Sequence, residues 1–266
     1  MDSLILGKYL PYNTIVHRLD PRAKILMMLM IMVAIFIPAG FLGYLLIAIF
    51  AFTGLMLSKI KIKSIIKAFK PMWFMMMFLF VINVLEIKTG KVLVEFKWLT
   101  IYDDALFQTL YIMVRLLLMI TVTTILTATT KPLDLTLAIE DLLTPFKVIK
   151  VPAHEIAMMI SIALRFIPTL IEETQRIMKA QASRGVDLEE GKLKEKIIAI
   201  LSLIVPLFVT AIQRAGDLAN AMEAKGYIPG AKRSRYKQLK MKAMDYSLLG
   251  VCAFMIVVLI VVGQVL

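Results

Sequence analysis

The stretch Ile25-Leu-Met-Met-Leu-Met-Ile-Met-Val-Ala-Ile-Phe-Ile-Pro38-Ala39-Gly40-Phe-Leu-Gly-Tyr-Leu-Leu-Ile-Ala-Ile-Phe-Ala-Phe-Thr-Gly-Leu-Met-Leu57 contains no charged residue. It is too long for one membrane span, and Pro38-Ala39-Gly40 interrupts it, so the sequence predicts a hairpin of two short membrane helices turning near Gly40. Upstream, Asp20-Pro21 is a helix start, with Asp as N-cap and Pro at the first helical position. Downstream, Lys59, Lys61, Lys63, Lys67 and Lys70 form a basic loop, which the orientation rule for membrane proteins assigns to the cytoplasm, with the N-terminus on the same side.

The rest of the chain agrees with a membrane reading. Of 266 residues 60% are hydrophobic, the formal net charge is +12, and the mean hydropathy is +0.82. This composition indicates an all-α integral membrane protein, with about five transmembrane helices plus a cytoplasmic domain of two long crossed amphipathic helices. The cations lie between apolar blocks, where they serve topology, so nucleic acid is excluded as a partner and membrane lipid is expected. The third span is Pro71 to Leu85 and the fourth Ala105 to Thr130, whose threonines from Thr121 onward can bond back to helix carbonyls. Between them, Glu86 to Asp104 is external, with Thr89-Gly90 as a turn and Val92, Val94 and Phe96 alternating like a strand. Tyr246 to Val265 is the last span, which puts the C-terminus outside. The expected division is 1–130 for the first four spans, 131–243 for the cytoplasmic domain and 244–266 for the final helix. No cleavable leader is expected, because Leu4 to Leu6 is too short an apolar core. Cys252 is the single cysteine, which excludes disulfides and a cysteine metal site.

Between Lys131 and Lys242 both signs of charge interleave with apolar residues at helical spacing. One helix runs to Ser183-Arg184-Gly185 and a second, from about Leu193, to Ala224-Lys225-Gly226. Each ends on one cation between a small residue and a glycine, so the charge stands on an uncluttered tip. Such an ending serves ordinary C-capping, and twice repeated it also suits insertion into an acidic or carbonyl-lined groove. Pro168 precedes the first tip and Pro206 the second, making an imperfect internal repeat with hinge points. Ala211, Ala215 and Ala219 form a small-residue stripe at which the two helices are expected to cross, and Glu172 and Arg176 are spaced for an i,i+4 pair.

Other candidates carry less chemistry. His154-Glu155 resembles the start of a zinc motif, but the required second histidine is Met158, so no metal site follows. His17 and His154 are read as interfacial or capping residues, and Asp103-Asp104 as an N-terminal cap. Arg115 lies near mid-membrane, with Asn83 or Glu86 as its expected partner. Methionines cluster at Met27, Met28, Met30 and Met32 and at Met72, Met75, Met76 and Met77, either as packing or as a compliant surface for more than one membrane partner. No catalytic residue is assigned.

Three stretches together resemble the transmembrane T component of energy-coupling factor (ECF) transporters, the EcfT/CbiQ-like family. They are the segment from Tyr9 through His17, Asp20 and Pro21 to Lys24; Thr130 through Pro132 and Asp134 to Glu140; and Ser161 through Arg165, Pro168, Glu172 and Glu173 to Gly185. The resemblance implies a multi-pass cell-membrane scaffold of a vitamin or metal-ion importer that joins two ABC-type ATPase subunits to a small, possibly exchangeable, substrate-binding membrane subunit. It also implies that 131–243 is a coupling domain and that the tips Ser183-Arg184-Gly185 and Ala224-Lys225-Gly226 dock in the ATPases. The second tip departs from the family's usual arginine. The chain itself would carry no cofactor, with ATP and Mg on the ATPases. A conventional ABC permease lining its own path is the alternative function.

Overall fold

The computed structural model describes residues 9–96, 99–145, 153–186, 193–228 and 238–265. Its helices are α1 (Pro21–Ile35), α2 (Gly40–Ser58), α3 (Ile62–Phe69), α4 (Trp73–Glu86), α5 (Asp103–Thr129), α6 (Pro132–Leu143), α7 (Ala153–Ser183), α8 (Leu193–Ala224) and α9 (Ala243–Val265). The fold is all-α apart from a two-stranded antiparallel hairpin, β1 (Val92–Phe96) and β2 (Leu99–Tyr102). The strand-like alternation at Val92, Val94 and Phe96 is therefore β1, and β2 is the partner that the sequence reading did not name.

The chain forms two compact units, one of α1 to α6, the hairpin and α9, and the other of α7 and α8. In the first unit α1 is the central post. Its N-cap is Asp20, whose carboxylate accepts the Arg22 amide at 2.9 Å, with Pro21 at the first position. Ala23, Met27, Ile31, Ala34 and Ile35 are buried against α2, α5 and α9, where Ile47, Leu118, Val122, Cys252 and Leu259 meet them. The chain turns at 36–39, and α2 opens on Gly40 at a φ of 61°. Gly263 of α9 passes this turn so closely that a Cβ would lie 2.9 Å from the Pro38 carbonyl oxygen, so only glycine fits.

Among the described residues six stretches are long and apolar enough to cross a membrane: α2, Ile62–Glu86, α5, His154–Ser183, Lys194–Ala224 and Ala243–Gln264. Four details depart from the sequence reading. The 15-residue α1 is not among the six; at about 22 Å it is shorter than a hydrocarbon core, and it tolerates this because other helices surround it. Ahead of the third span, α3, with Lys63 and Lys67, runs into α4 through a single 3-10 turn at Lys70–Met72 that holds Pro71, where the sequence reading had only a basic loop. Both α7 and α8 reach span length and hydropathy, although their charge pattern had set them apart from the spans. α6, which lies within 131–243, packs on α1 and belongs to the first unit.

The threonines of α5 bond back as expected, Thr121 to the Leu117 carbonyl at 2.7 Å and Thr123 to that of Met119 at 2.8 Å. Within the first unit the N-terminal segment bonds to the end of α5, Leu10 N to Ala128 O at 2.9 Å, whereas the end of α9 lies at the α1–α2 turn. The two ends of the described chain thus sit at opposite ends of this bundle.

Candidate functional site

Both basic tips have the same backbone geometry. After α7, the Val186 amide donates to the Gln181 carbonyl and the Gly185 amide to that of Ala182, each at 3.0 Å. After α8, the Tyr227 amide donates to Met222 at 2.9 Å and the Gly226 amide to Glu223 at 2.8 Å. These paired six-to-one and five-to-two bonds make two Schellman caps, with Gly185 and Gly226 in the left-handed region at φ 80° and 71°. A Cβ on either glycine would meet nothing within 4 Å, so the glycines are there for backbone conformation. Arg184 and Lys225 occupy equivalent capping positions, both exposed, and so do the flanking Ser183 and Ala224. Among the described residues neither cation has an ion pair.

The two helices behind the tips are held side by side by polar contacts, one of which depends on proline chemistry. α8 is continuous through Pro206, as α7 is through Pro168. Pro206 has no N–H for the carbonyl four residues back, and that carbonyl, Ser202 O, instead accepts the Gln181 side-chain amide of α7 at 3.1 Å. Gln181 is also the residue whose backbone carbonyl closes the Arg184 tip. Further along, Glu173 Oε2 accepts Arg214 of α8 at 3.3 Å and lies 3.6 Å from Arg176 of its own helix. Moving back along α7 from Gln181 to Glu173 moves forward along α8 from Ser202 to Arg214, so the helices run antiparallel. The tips then sit at opposite ends of the pair, about 33 Å apart by the length of α8 from Ser202 to Ala224.

Two sequence expectations for this pair are corrected. Arg176 pairs with Glu173, three residues before it, and Glu172 is exposed. The alanine stripe does not line the contact: Ala211 is half-buried, but Ala215 and Ala219 are exposed. The half-buried stripe of α8 runs instead through Ser202, Leu203, Pro206, Leu207, Thr210, Arg214, Leu218 and Met222. These residues also recur every fourth position, but Ala215 and Ala219 each follow an interface residue by one place, about 100° round the helix, which turns them out of the contact.

In the first unit, the Asp20 cap and His17 join residues that the sequence reading had left without a role, among them Asp245, Arg22 and Asp141, in a polar knot at one end of the bundle. Asp245, 1% exposed, sits in the first turn of α9 and accepts the Lys242 amide at 2.7 Å and the Asp20 amide at 2.9 Å. Its carboxylate thus caps α9 and ties it to the cap of α1. Asp20 in turn holds Arg22 at 3.1 Å, and Arg22 reaches Asp141 of α6 at 3.4 Å. The buried Lys24 ammonium bonds the Thr129 carbonyl at 3.0 Å and the Thr130 hydroxyl at 3.2 Å, closing the knot on α5. His17 Nε2–H donates to the Leu10 carbonyl at 3.0 Å while Nδ1 accepts the Thr14 hydroxyl at 2.7 Å, and burial, with Lys24 nearby, lowers its pKa below 6.5. Asp245 was detectable only as an acid three residues into a helix.

Arg115 is likewise satisfied, but not by the expected partners. Its Nε donates to the Tyr44 hydroxyl at 2.9 Å, which donates to the Ile35 carbonyl at 3.1 Å, and its guanidinium lies 5.2 Å from the Phe36 ring centroid. Asn83 instead bonds Thr109 at 3.0 Å. Asp103 Oδ1 accepts the amides of Asp104 and Lys91, both at 2.8 Å, securing the start of α5. The first methionine cluster is core packing around the buried Met27, while Met75 and Met77 are exposed on α4 beside Trp73 and Phe74. Among the described residues no group of His, Cys, Asp or Glu is arranged to hold a metal ion.

Comparison with known proteins follows the same residues. The sequence model of the CbiQ family, described as cobalt transport protein, matches residues 12–236, a span that includes both tips and most of the knot. The energy-coupling factor transporter transmembrane protein EcfT of Bacillus subtilis (strain 168) is 41% identical over 249 residues, 94% of each chain. The protein of the same description from Thermosediminibacter oceani is 42% identical over 266 residues, covering 100% of this chain and 98% of its own, and that of Lactococcus lactis subsp. cremoris is 41% identical over 98% of each. Similarity of this extent along both partners shows that the chain belongs to the energy-coupling factor transmembrane protein family, as a multi-pass membrane component of a transporter.

Proposed function

We propose that this chain is the scaffold that passes ATP-driven motion from two ABC-type ATPases to a small substrate-binding membrane subunit, in an importer of a vitamin or a metal ion. The Arg184 and Lys225 tips each enter a groove on one ATPase, where ATP and Mg are bound and hydrolysed. The observation that carries this reading is the repetition of one Schellman cap with an exposed cation at the two ends of an antiparallel helix pair. Capping alone needs the glycine and the backbone bonds. It does not need an unshielded cation at both ends.

Closure of the ATPases on ATP changes the distance or angle between the tips. The helix pair carries that change because each tip is fixed to a stiff helix, and the Arg184 tip is also bonded to α8 through Gln181. Pro168 and Pro206 are the compliant points, each lacking one backbone bond. The reorientation reaches the substrate-binding subunit through exposed apolar surface, for which Met75, Met77, Trp73 and Phe74 of α4 supply a repackable patch. Arg184 can make two parallel bonds to a carboxylate or a carbonyl pair, whereas Lys225 acts as a point charge, so the two ATPase contacts are unequal.

Co-expression with the ATPases tests the proposal. Charge reversal at both tips, Arg184→Glu with Lys225→Glu, leaves the chain in the membrane, releases the ATPases on affinity purification and abolishes substrate uptake. Recovery of ATPases and uptake at wild-type levels in the double variant would refute tip docking.

A further inference from the structure

We propose that the cleft between α1, α2, α5 and α9 is a binding site for one acyl chain and the headgroup of an anionic phospholipid, drawn from the leaflet at the end of the bundle that carries the polar knot. The cleft has a volume of about 280 Å³. Its walls are Met27 and Ile31 of α1, Phe50 and Gly54 of α2, and Val122 and Ile125 of α5, an almost wholly apolar lining suited to hydrocarbon.

Two observations select the occupant. First, the lining is apolar apart from Lys24, Thr53, Thr129 and Ser247, and no acidic residue lines the cleft. The Lys24 ammonium already holds the Thr129 carbonyl and the Thr130 hydroxyl, and the Thr53 and Ser247 hydroxyls are bonded to carbonyls of their own helices, so the walls present hydrocarbon surface. Second, the rim at the end that carries the polar knot is basic. Arg18 lies between the lining residues Val16 and Leu19, Lys59 lies two residues beyond the lining Leu57, and Lys242 two residues before the lining Met244; all three cations are exposed. Apolar walls and exposed cations on the rim fit a lipid with a phosphate and no neutralising cationic group, such as phosphatidylglycerol, better than a zwitterionic one.

The test uses the full chain reconstituted in mixed phosphatidylglycerol and phosphatidylcholine bilayers, then extracted and washed with detergent, with retained lipid read by native mass spectrometry. The wild-type chain retains one phosphatidylglycerol per chain in preference to phosphatidylcholine by about tenfold or more, given roughly fivefold per cation near an anionic lipid. Gly54→Leu loses it, because a Cβ at Gly54 meets only Ile125 Cδ1 at 3.6 Å and a longer side chain extends into the cleft. Val122→Phe fills the cleft from the opposite wall and has the same effect should Gly54→Leu disturb the fold. The triple variant Arg18→Gln, Lys59→Gln, Lys242→Gln leaves the walls intact and binds both lipids equally. The proposal is overturned if wild-type chain retains no lipid through the wash, if it holds both lipids equally, or if the two cleft-filling variants retain the wild-type amount.

Discussion

Asp245 shows how far one carboxylate can reach in this molecule. It joins the first turns of two helices whose sequence separation is 225 residues, by accepting one buried amide from each. Replacing it with alanine leaves both amides unpaired, and Asp245→Ala should lose about 2–4 kcal/mol of stability, read as a lowered unfolding temperature in detergent; Asp245→Asn, which keeps one acceptor, should lose less. His17 gives a pH-dependent counterpart. Its folded pKa lies below the ordinary 6.5, so the unfolded chain binds the proton more readily. Stability is therefore complete above pH 6.5 and declines as the pH falls through that value, and His17→Gln should flatten this slope in a pH series of thermal melts. These residues also mark what the sequence could disclose. Asp20-Pro21 was readable as a helix start because N-capping is local. The Asp20–Asp245 bond was not, since its partner depends on which helices become neighbours. The expected partners of Arg115 failed for the same reason: Asn83 and Glu86 are plausible by depth, but α2 brings Tyr44 closer.

At the scale of elements, the hairpin turn at Gly40 and both glycine-ended helices followed from turn and capping chemistry, which a few consecutive residues specify. Whether the alanine stripe formed the contact could not follow from its spacing, because the true interface repeats every fourth residue as well, one position earlier, and only the partner helix decides which of the two stripes is covered. The part played by Pro206 is the clearest case. A proline in a helix is legible as a missing bond, but the use of the freed Ser202 carbonyl by Gln181 requires α7 to be in place. Pro206→Ala restores the backbone donor, and the account predicts stronger hydrogen-exchange protection in the middle of α8 together with reduced uptake, as the Gln181 contact meets competition. Unchanged uptake with increased protection would show that the link carries no motion. The Glu173–Arg214 pair is tested by exchange: Glu173→Arg and Arg214→Glu should each lower uptake without releasing the ATPases, and the double exchange should recover a substantial part of it. Additive losses would assign the pair no role in coupling.

For the whole molecule, the knot, the short central α1 and the helix pair suggest a division between a bundle held firmly at one end and a two-helix lever with a cation at each extremity. Membrane class and family were legible from composition, charge placement and three motifs, because these properties are summed over many residues. The geometry of the lever was not, as it rests on a few contacts across helices. The central claim is that both tips touch ATPases, and site-specific photo-crosslinking tests it most directly. With a photoreactive amino acid placed at Ser183 in one sample and at Ala224 in another, irradiation of membranes containing the assembled transporter should give an ATPase adduct from each position, and reversal of the neighbouring cation should abolish each adduct. Adducts from neither position, in membranes where the transporter is assembled and active, would contradict the account.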